Sequence, residues 1–190
     1  MIINKDQRVG IFIDVQNLYH SSKNLYNARV NYKELIRHLL AGRKLIRALA
    51  YVVKSEGIDG TVNTAPMPEP ENLRRRGLRS VSSEASFFKA LEDSGLELRV
   101  KDLQIYPSGA KKADWDVGMA VDAIRMASFL DTVILVTGDG DFAPLVDYLR
   151  WGLGRQVEIA AFSRTASAKL KEVPDMFIGM EEITKVLIKK

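Results

Sequence analysis

Two aspartates, Asp139 and Asp141, occupy alternate positions directly after an apolar, mostly β-branched run at 133–136. Such a run is typical of a buried strand, and the apolar spacing over 142–149 predicts a helix after it. A glycine-rich turn between a strand and a helix lies at the carboxyl edge of an open α/β sheet, where ligands bind. The simpler interpretation is that the aspartates cap the helix, although one of them would suffice.

A further aspartate, Asp14, ends a second apolar run at 8–14. It too could only cap a helix, which we expect to begin at residue 15. If the two runs are neighbouring parallel strands, their carboxylates lie roughly 5 Å apart. Like charges this close are costly unless a cation or a shared proton intervenes, so the pattern favours a functional site.

Asp114 and Asp116 begin a helix that the sequence predicts over 114–129. Residues two apart on a helix point about 200° apart, so one site cannot easily use both. Asp116 heads a row of alanines that allows close approach to the sheet, and it is our site candidate. Asp114 suits the N-cap position, Asp122 is a weaker candidate for a supporting role, and the alternative that Asp114 is the site acid stays open. Both could also merely complement the helix dipole.

Carboxylates without cysteine, and with only two histidines, indicate a hard-cation site. Oxygen ligands suit Mg²⁺ or Mn²⁺ rather than zinc, and such a cluster could activate water against a phosphodiester. The chain has no Walker loop, no GxGxxG after its first strand and no nucleophile elbow, so nucleotide hydrolysis, dinucleotide binding and the α/β-hydrolase chemistry lack support.

The composition is that of an ordinary globular protein, with 46% hydrophobic and 27% charged residues. We expect residues 1–190 to form a single domain. The polar start and the lack of an apolar run of membrane-spanning length predict a cytoplasmic protein with no membrane partner. The net charge of +4 is a weak indication of a polyanionic partner.

Strands and helices alternate along the chain, which predicts a three-layer α/β/α fold around a largely parallel five-stranded sheet. Residues 24–31 are predicted to form a loop, 32–40 a helix and 181–190 a terminal helix. The predicted strands are 8–14, 45–53, 96–106, 133–136 and 155–161, with a short sixth strand at 175–178 left open.

Residues 54–79 show no clear element, and we expect a Pro/Arg-rich loop or insertion at about 57–80. Its arginines are either a solvated face or an arm that grips phosphates; they are Arg74, Arg75, Arg76 and Arg79. If the arm is not used, other basic residues take the role: Lys111, Lys112, Arg164 and Lys169.

Four segments resemble the NYN domains, specifically the LabA-like branch of the PIN-like nuclease superfamily: FIDVQN at 12–17, KADWDVGMAVDAIR at 112–125, VTGDGDFAPLV at 136–146 and VEIAAF at 157–162. The resemblance implies a PIN-like fold and a divalent-metal-dependent ribonuclease site that binds RNA. It places the site acids at Asp14, with Asn17 beside it, at Asp116 and at the pair Asp139 and Asp141. A family serine after the last strand corresponds to Ser167.

We therefore expect a Mg²⁺- or Mn²⁺-dependent ribonuclease whose catalytic and metal-binding residues are Asp14, Asp116, Asp139 and Asp141. One alternative is a catalytically weak regulator that binds RNA or a nucleotide, and another is a metal-dependent phosphatase for small phosphoesters. The complete acidic set favours an enzyme, because uncompensated carboxylates repel a polyanion. Whether the chain forms a homo-oligomer is left open.

Overall fold

The structure, a computed structural model, describes residues 4–54, 84–102, 104–105, 111–112 and 114–189. The predicted Pro/Arg-rich loop and its four arginines lie outside these residues. The strands in the described part are β1 (Arg8–Asp14), β2 (Ala28–Val30), β3 (Lys44–Lys54), β4 (Glu97–Asp102), β5 (Gln104–Ile105), β6 (Lys111–Lys112), β7 (Thr132–Val136), β8 (Gln156–Ala161), β9 (Met176–Gly179) and β10 (Leu187–Lys189). The helices are α1 (Val15–Tyr26), α2 (Tyr32–Leu40), α3 (84–93), α4 (Asp116–Met126), α5 (Ala143–Asp147) and α6 (Ala168–Glu172).

The central sheet contains six parallel strands in the order β4-β3-β1-β7-β8-β9. The predicted parallel sheet is confirmed, but its predicted count of five strands is wrong. The sixth strand, β9, is only four residues long and is held by pairing with β8 from Glu158 to Ala161. A run this short carries little periodicity of its own, so its assignment depends on a distant partner.

Side chains alternate between the two faces of the sheet, as the pleat of a strand requires. In β1, Ile11 and Ile13 belong to the core under α1, α2 and α3, whereas Phe12 belongs to the core under α4, α5 and α6. All three are fully buried. The sheet therefore has helices on both faces, which confirms the three-layer α/β/α fold.

The neighbouring strands β1 and β7 end at the same edge of the sheet, with Ile13 opposite Val136. Asp14 follows Ile13 directly, and Thr137 follows Val136. Because the strands are parallel, the chain leaves both of them in the same direction. The register thus delivers the first aspartate and the turn that carries Asp139 to one edge.

Several local predictions are wrong. The loop expected over 24–31 is replaced by the end of α1, which closes at Asn27 with φ 45°, and by β2. The terminal helix expected over 181–190 is replaced by a 3₁₀ turn and by β10, which pairs antiparallel with β2. The strand expected over 96–106 ends at Asp102 in the sheet, and β5 pairs with β6 instead. Of these corrections, β2 and β10 depend on pairing between segments distant in sequence, whereas the end of α1 is a local cap and β5 and β6 are close in sequence. None of the described helices is long and apolar enough to cross a membrane.

Candidate active site

Asp14 is held at the point where β1 passes into α1. It is the N-cap of α1, and its Oδ1 accepts a hydrogen bond from the backbone N–H of Asn17 at 3.0 Å. Its Oδ2 accepts one from the hydroxyl of Thr137 at 3.2 Å. Burial raises the pKa of Asp14 above its usual range, the two hydrogen bonds oppose that rise, and the charge of Asp139 adds to it. Asp14 is therefore both a cap and an acid in a charged neighbourhood.

Thr137 connects the ends of β1 and β7. Its buried hydroxyl donates to Asp14 and accepts a hydrogen bond from the backbone N–H of Asp139 at 3.2 Å. Asp139 in turn accepts from the N–H of Asp141 at 3.0 Å and caps the short 3₁₀ turn Gly140–Phe142. This chain of hydrogen bonds fixes the relative positions of Asp14 and Asp139.

The turn after β7 is also clamped from both sides. The side-chain oxygen of Asn17 accepts a hydrogen bond from the N–H of Gly138 at 3.0 Å, and the carbonyl of Gly138 accepts one from the N–H of Ser167 at 3.0 Å. A Cβ on Gly138 would lie 3.3 Å from the backbone of Ala166, and one on Gly140 would lie 2.7 Å from Oγ of Ser167. The two glycines permit this close approach, and Asn17 and Ser167 act on the turn through its backbone.

The remaining acids of this edge come from the start of α4. Trp115, and not Asp114 as predicted, is the N-cap residue, and no side chain of the described chain caps this helix end. The Trp115 indole N–H donates to the carbonyl of Val52 at 2.9 Å, which ties α4 to β3. Asp114 therefore does not cap α4, and Asp114 and Asp116 are the sequence neighbours of the anchored Trp115.

The carboxyl of Asp116 titrates well above the usual range of an aspartate because its pKa is raised by its surroundings. Its partial burial raises the pKa of its carboxyl to about 6, and the charges of four neighbouring aspartates contribute to the rise. In decreasing order of effect, these neighbours are Asp139, Asp14, Asp114 and Asp141. All five predicted acids of this edge therefore lie close enough for the charges of the other four to act on Asp116.

The carboxyl edge opens into a cleft of about 310 Å³. It is lined by Asp14, Gln16, Asn17, His20, Ser21, Tyr51, Asp114, Trp115, Asp116 and Asp139. Four of the predicted acids thus line one cleft. The expectation that Asp114 and Asp116 cannot share a site is wrong, because α4 begins at Asp116 and Asp114 lies before the helix. Asp141 is exposed and lies outside the lining, so it acts on the cleft through its charge.

Asp122 lies behind the cleft wall. It accepts a hydrogen bond from the hydroxyl of Tyr51 at 3.1 Å and lies 3.4 Å from the guanidinium of Arg99. Tyr51 itself contacts the ring of Trp115 edge to face, with ring centroids 5.5 Å apart. Asp122 therefore supports the aromatic wall and is not among the acids of the cleft.

Sequence reasoning missed five cleft residues: Gln16, His20, Ser21, Tyr51 and Trp115. A usable signal existed for those on α1, because positions 16, 17, 20 and 21 share one helix face next to Asp14. The two aromatic residues gave no such signal, since Tyr51 reads as an ordinary strand residue and Trp115 as a core residue.

Two of the predicted basic residues, Arg164 and Lys169, lie apart from the cleft lining. Arg164 and Lys169 are exposed, in the loop after β8 and in α6. Lys111 and Lys112 form the short strand β6. Neither Arg164 nor Lys169 is among the described residues that line the cleft.

The cleft lining offers hard oxygen donors and, among the described residues, contains no lysine or arginine. Among the ion pairs between described residues, none includes an aspartate of the cleft or Asp141. In the same part of the chain, no three carboxylates or imidazoles are grouped closely enough to hold one ion by themselves. This donor set fits an ion such as Mg²⁺, which is bound through one or two carboxylates and completes its shell with water and substrate oxygens.

Comparisons with known proteins agree with this fold. The family model of the NYN domain matches residues 8–181. The crystal structure of a protein of unknown function from Vibrio parahaemolyticus superposes with a TM-score of 0.75 at 26% sequence identity, covering 99% of this chain and 100% of that one. No curated protein gives a significant match. The model match spans the whole sheet and every acid of the cleft, and the chain therefore belongs to the NYN domain family, within the PIN-like nuclease superfamily.

Proposed function

We propose that this protein is a ribonuclease of the LabA-like branch that hydrolyses RNA phosphodiester bonds with the help of Mg²⁺ or Mn²⁺. One observation carries the proposal: Asp14, Asp114, Asp116 and Asp139 line one cleft where β1 and β7 end, and no described residue forms an ion pair with them. Carboxylates kept together without a counter-charge are stabilised by a cation.

Asp14, Asp116 and Asp139 would supply the one or two direct carboxylate ligands of the ion, and the remaining contacts would pass through water. Asp141 would add its charge from outside the lining. Bound there, a divalent ion supplies a lowered pKa for water and neutralises charge on the phosphate. The chain's own residues supply the positioning: Thr137 and Asn17 fix the two strand ends by hydrogen bonds. Preorganised carboxylates need no rearrangement when the substrate arrives.

A catalytically weak RNA- or nucleotide-binding regulator is the second candidate, and a specific observation favours it. The described carboxylates do not form a group of three around one point, so an ion would depend on water and phosphate for most of its shell. Such a site could bind an RNA phosphate through an ion without cleaving it. The cytoplasmic location and a homo-oligomeric state belong to the proposal as sequence-based predictions.

One experiment separates the two candidates. Wild-type protein and Asp14→Asn, purified identically, are incubated with end-labelled single-stranded and structured RNA in Mg²⁺, in Mn²⁺ and in EDTA. The asparagine keeps an oxygen that can cap α1 but has no second acceptor for the Thr137 hydroxyl, so the melting curves also check that the variant is folded. Melting curves in the same buffers report ion binding, which at ~100 times the dissociation constant adds about 2.7 kcal/mol.

A ribonuclease gives cleavage by the wild type only with a divalent ion, and far less cleavage by Asp14→Asn. RNA binding and ion-dependent stabilisation without cleavage would identify the regulator. Equal cleavage in EDTA, or equal cleavage by the variant, would refute the metal-dependent nuclease and point to a contaminant.

A further inference from the structure

Trp115 is held rigidly in the wall of the cleft. Its indole N–H donates to the carbonyl of Val52 at 2.9 Å, and its ring meets Tyr51 at 5.5 Å between centroids. Gly118, in the next turn, lies directly against it, because a Cβ there would be 2.6 Å from the indole ring. An aromatic side chain fixed in this way loses little conformational entropy when it binds a ligand.

The ring is nevertheless not part of the closed core. Trp115 is half-buried, and it lines the cleft between Asp114 and Asp116. The hydrocarbon core of this face, by contrast, is built from fully buried residues such as Phe12 and Leu135. An anchored but accessible aromatic ring beside a polar centre is an arrangement suited to ligand contact.

The charges around the ring favour a neutral, flat group at this point. Asp114 and Asp116 would repel a phosphate, whereas a nucleobase carries no charge and presents a π face. Lys101 lies over the ring: its ammonium group is 5.7 Å from the ring centroid and donates to the carbonyl of Asp114 at 3.2 Å. Because this side chain is exposed, it can swing off the ring when a base stacks on that face. The Lys101 ammonium can then contact a backbone phosphate of an RNA whose base stacks on the Trp115 ring.

We propose that Trp115 is the stacking platform for one base of a single-stranded RNA, with Lys101 contacting the adjacent phosphate. The proposal rests on the proposed function, since it specifies how the substrate of that site is held. A base inside a duplex is already stacked on both sides and cannot use the ring. The cleft is therefore selective for single-stranded or locally unpaired RNA.

The chain contains two tryptophans, which makes the test direct. Trp151 lies in a separate cleft with Arg150 and Asp175, is 79% exposed and has the Arg150 guanidinium 5.2 Å from its ring. In Trp151→Phe the only tryptophan fluorescence comes from Trp115, and in Trp115→Phe it comes only from Trp151. Each variant is the matched control of the other.

Both variants are made in the Asp139→Asn background, which suppresses cleavage, and are titrated with a short oligouridylate in Mg²⁺, which offsets the charge of the cleft acids. The titrations are done at low salt, because RNA binding weakens with salt. We expect quenching in Trp151→Phe and none in Trp115→Phe, and no quenching of either by duplex RNA. Affinity measured by anisotropy of labelled RNA should fall about 5- to 150-fold in Trp115→Ala, the range for loss of one stacked base. Trp115→Phe should retain most of the affinity, which guards against a folding defect in the alanine variant.

Quenching confined to Trp151, or an alanine variant with wild-type affinity, would overturn the proposal. Metal-dependent cleavage accompanied by an unresponsive Trp115 would overturn the stacking platform alone and leave the ribonuclease standing. Quenching of Trp115 without cleavage in any metal would support the platform and refute the ribonuclease.

Discussion

Asp116→Asn should stabilise the metal-free protein near neutral pH. Burial and four neighbouring aspartates raise the pKa of Asp116 to about 6, whereas an unperturbed aspartate titrates near pH ~4. That difference corresponds to about 3 kcal/mol against the charged form. Asp116 is only partly buried and lies in the first turn of α4, where the helix dipole favours a negative charge by about 0.3–1 kcal/mol. After solvent screening and the dipole are discounted, we expect a gain of about 1–2 kcal/mol for the asparagine variant.

The stability difference between Asp116→Asn and the wild type should depend on pH in a defined direction. The pKa is raised in the folded state, so between about pH 4 and pH 6 the folded protein binds more protons than the unfolded chain. The contribution of Asp116 therefore becomes less unfavourable as the pH falls through about 6, and it vanishes below about pH 4. Asp116→Asn should be more stable than the wild type at about pH 7.5, and this advantage should disappear at about pH 4.

Urea unfolding in EDTA at both pH values measures the difference between variant and wild type, which removes the titration of other groups. Asp147→Asn, an exposed aspartate at the end of α5, is the matched control and should change little at either pH. A less stable Asp116→Asn at about pH 7.5, or the same stability difference at both pH values, would refute the raised pKa of Asp116 and its attribution to burial and like-charge repulsion.

Three further predictions concern the scaffold and the basic loop. Glu158→Gln should lower the free energy of unfolding by about 3–5 kcal/mol in urea melts. The reason is that the fully buried Arg43 guanidinium, which donates to the Glu158 carboxylate at 2.6 and 2.9 Å, loses its counter-charge. Wild-type stability of the variant would contradict this. Gly140→Ala should lower the free energy of unfolding by about 1–3 kcal/mol and reduce RNA cleavage, because the added Cβ would lie 2.7 Å from Ser167 Oγ. A second substitution, Ser167→Gly, should restore both stability and cleavage. If it does not, this contact is not the cause. The arginines of the predicted Pro/Arg-rich loop, at positions 74, 75, 76 and 79, lie outside the described residues. Their replacement by glutamine should weaken RNA binding and lower the slope of log affinity against log salt concentration by about 0.7 per lost phosphate contact. An unchanged slope in anisotropy titrations would assign the phosphate contacts to Lys111, Lys112, Arg164 and Lys169 instead.

The sheet could be predicted from local pattern because its inner strands are buried on both faces. The runs that became β1 and β7 contain apolar residues at almost every position and end in polar turns. Parallel topology then requires both ends to lie at one edge. That inference alone predicts that Asp14 and Asp139 lie at the same edge.

Other features depend on partners that are distant in sequence. Ile183 and Val186 are buried, as a terminal helix would require, yet the residues that follow them form β10 and pair with β2. Next to this pairing, the N–H of Asn31 donates to the carbonyl of Val186 at 2.7 Å. Similarly, Tyr51 enters the cleft only because β3 lies beside β1, and Trp115 only because its indole reaches Val52 of that same strand. Local periodicity does not determine the order of strands in a sheet, so the positions of Tyr51 and Trp115 in the cleft could not be predicted from the sequence.

The central claim is that the acids of this cleft cleave RNA. The most direct test is the single-turnover cleavage rate of a labelled single-stranded RNA in Mn²⁺ by the wild type, Asp139→Asn and the exposed control Asp147→Asn. Asp139→Asn keeps the oxygen that accepts the Asp141 N–H but lacks the negative charge. We predict a rate at least ~100-fold lower for Asp139→Asn, the scale of losing one preorganised electrostatic group, and a wild-type rate for Asp147→Asn. Equal rates for all three proteins would contradict the account.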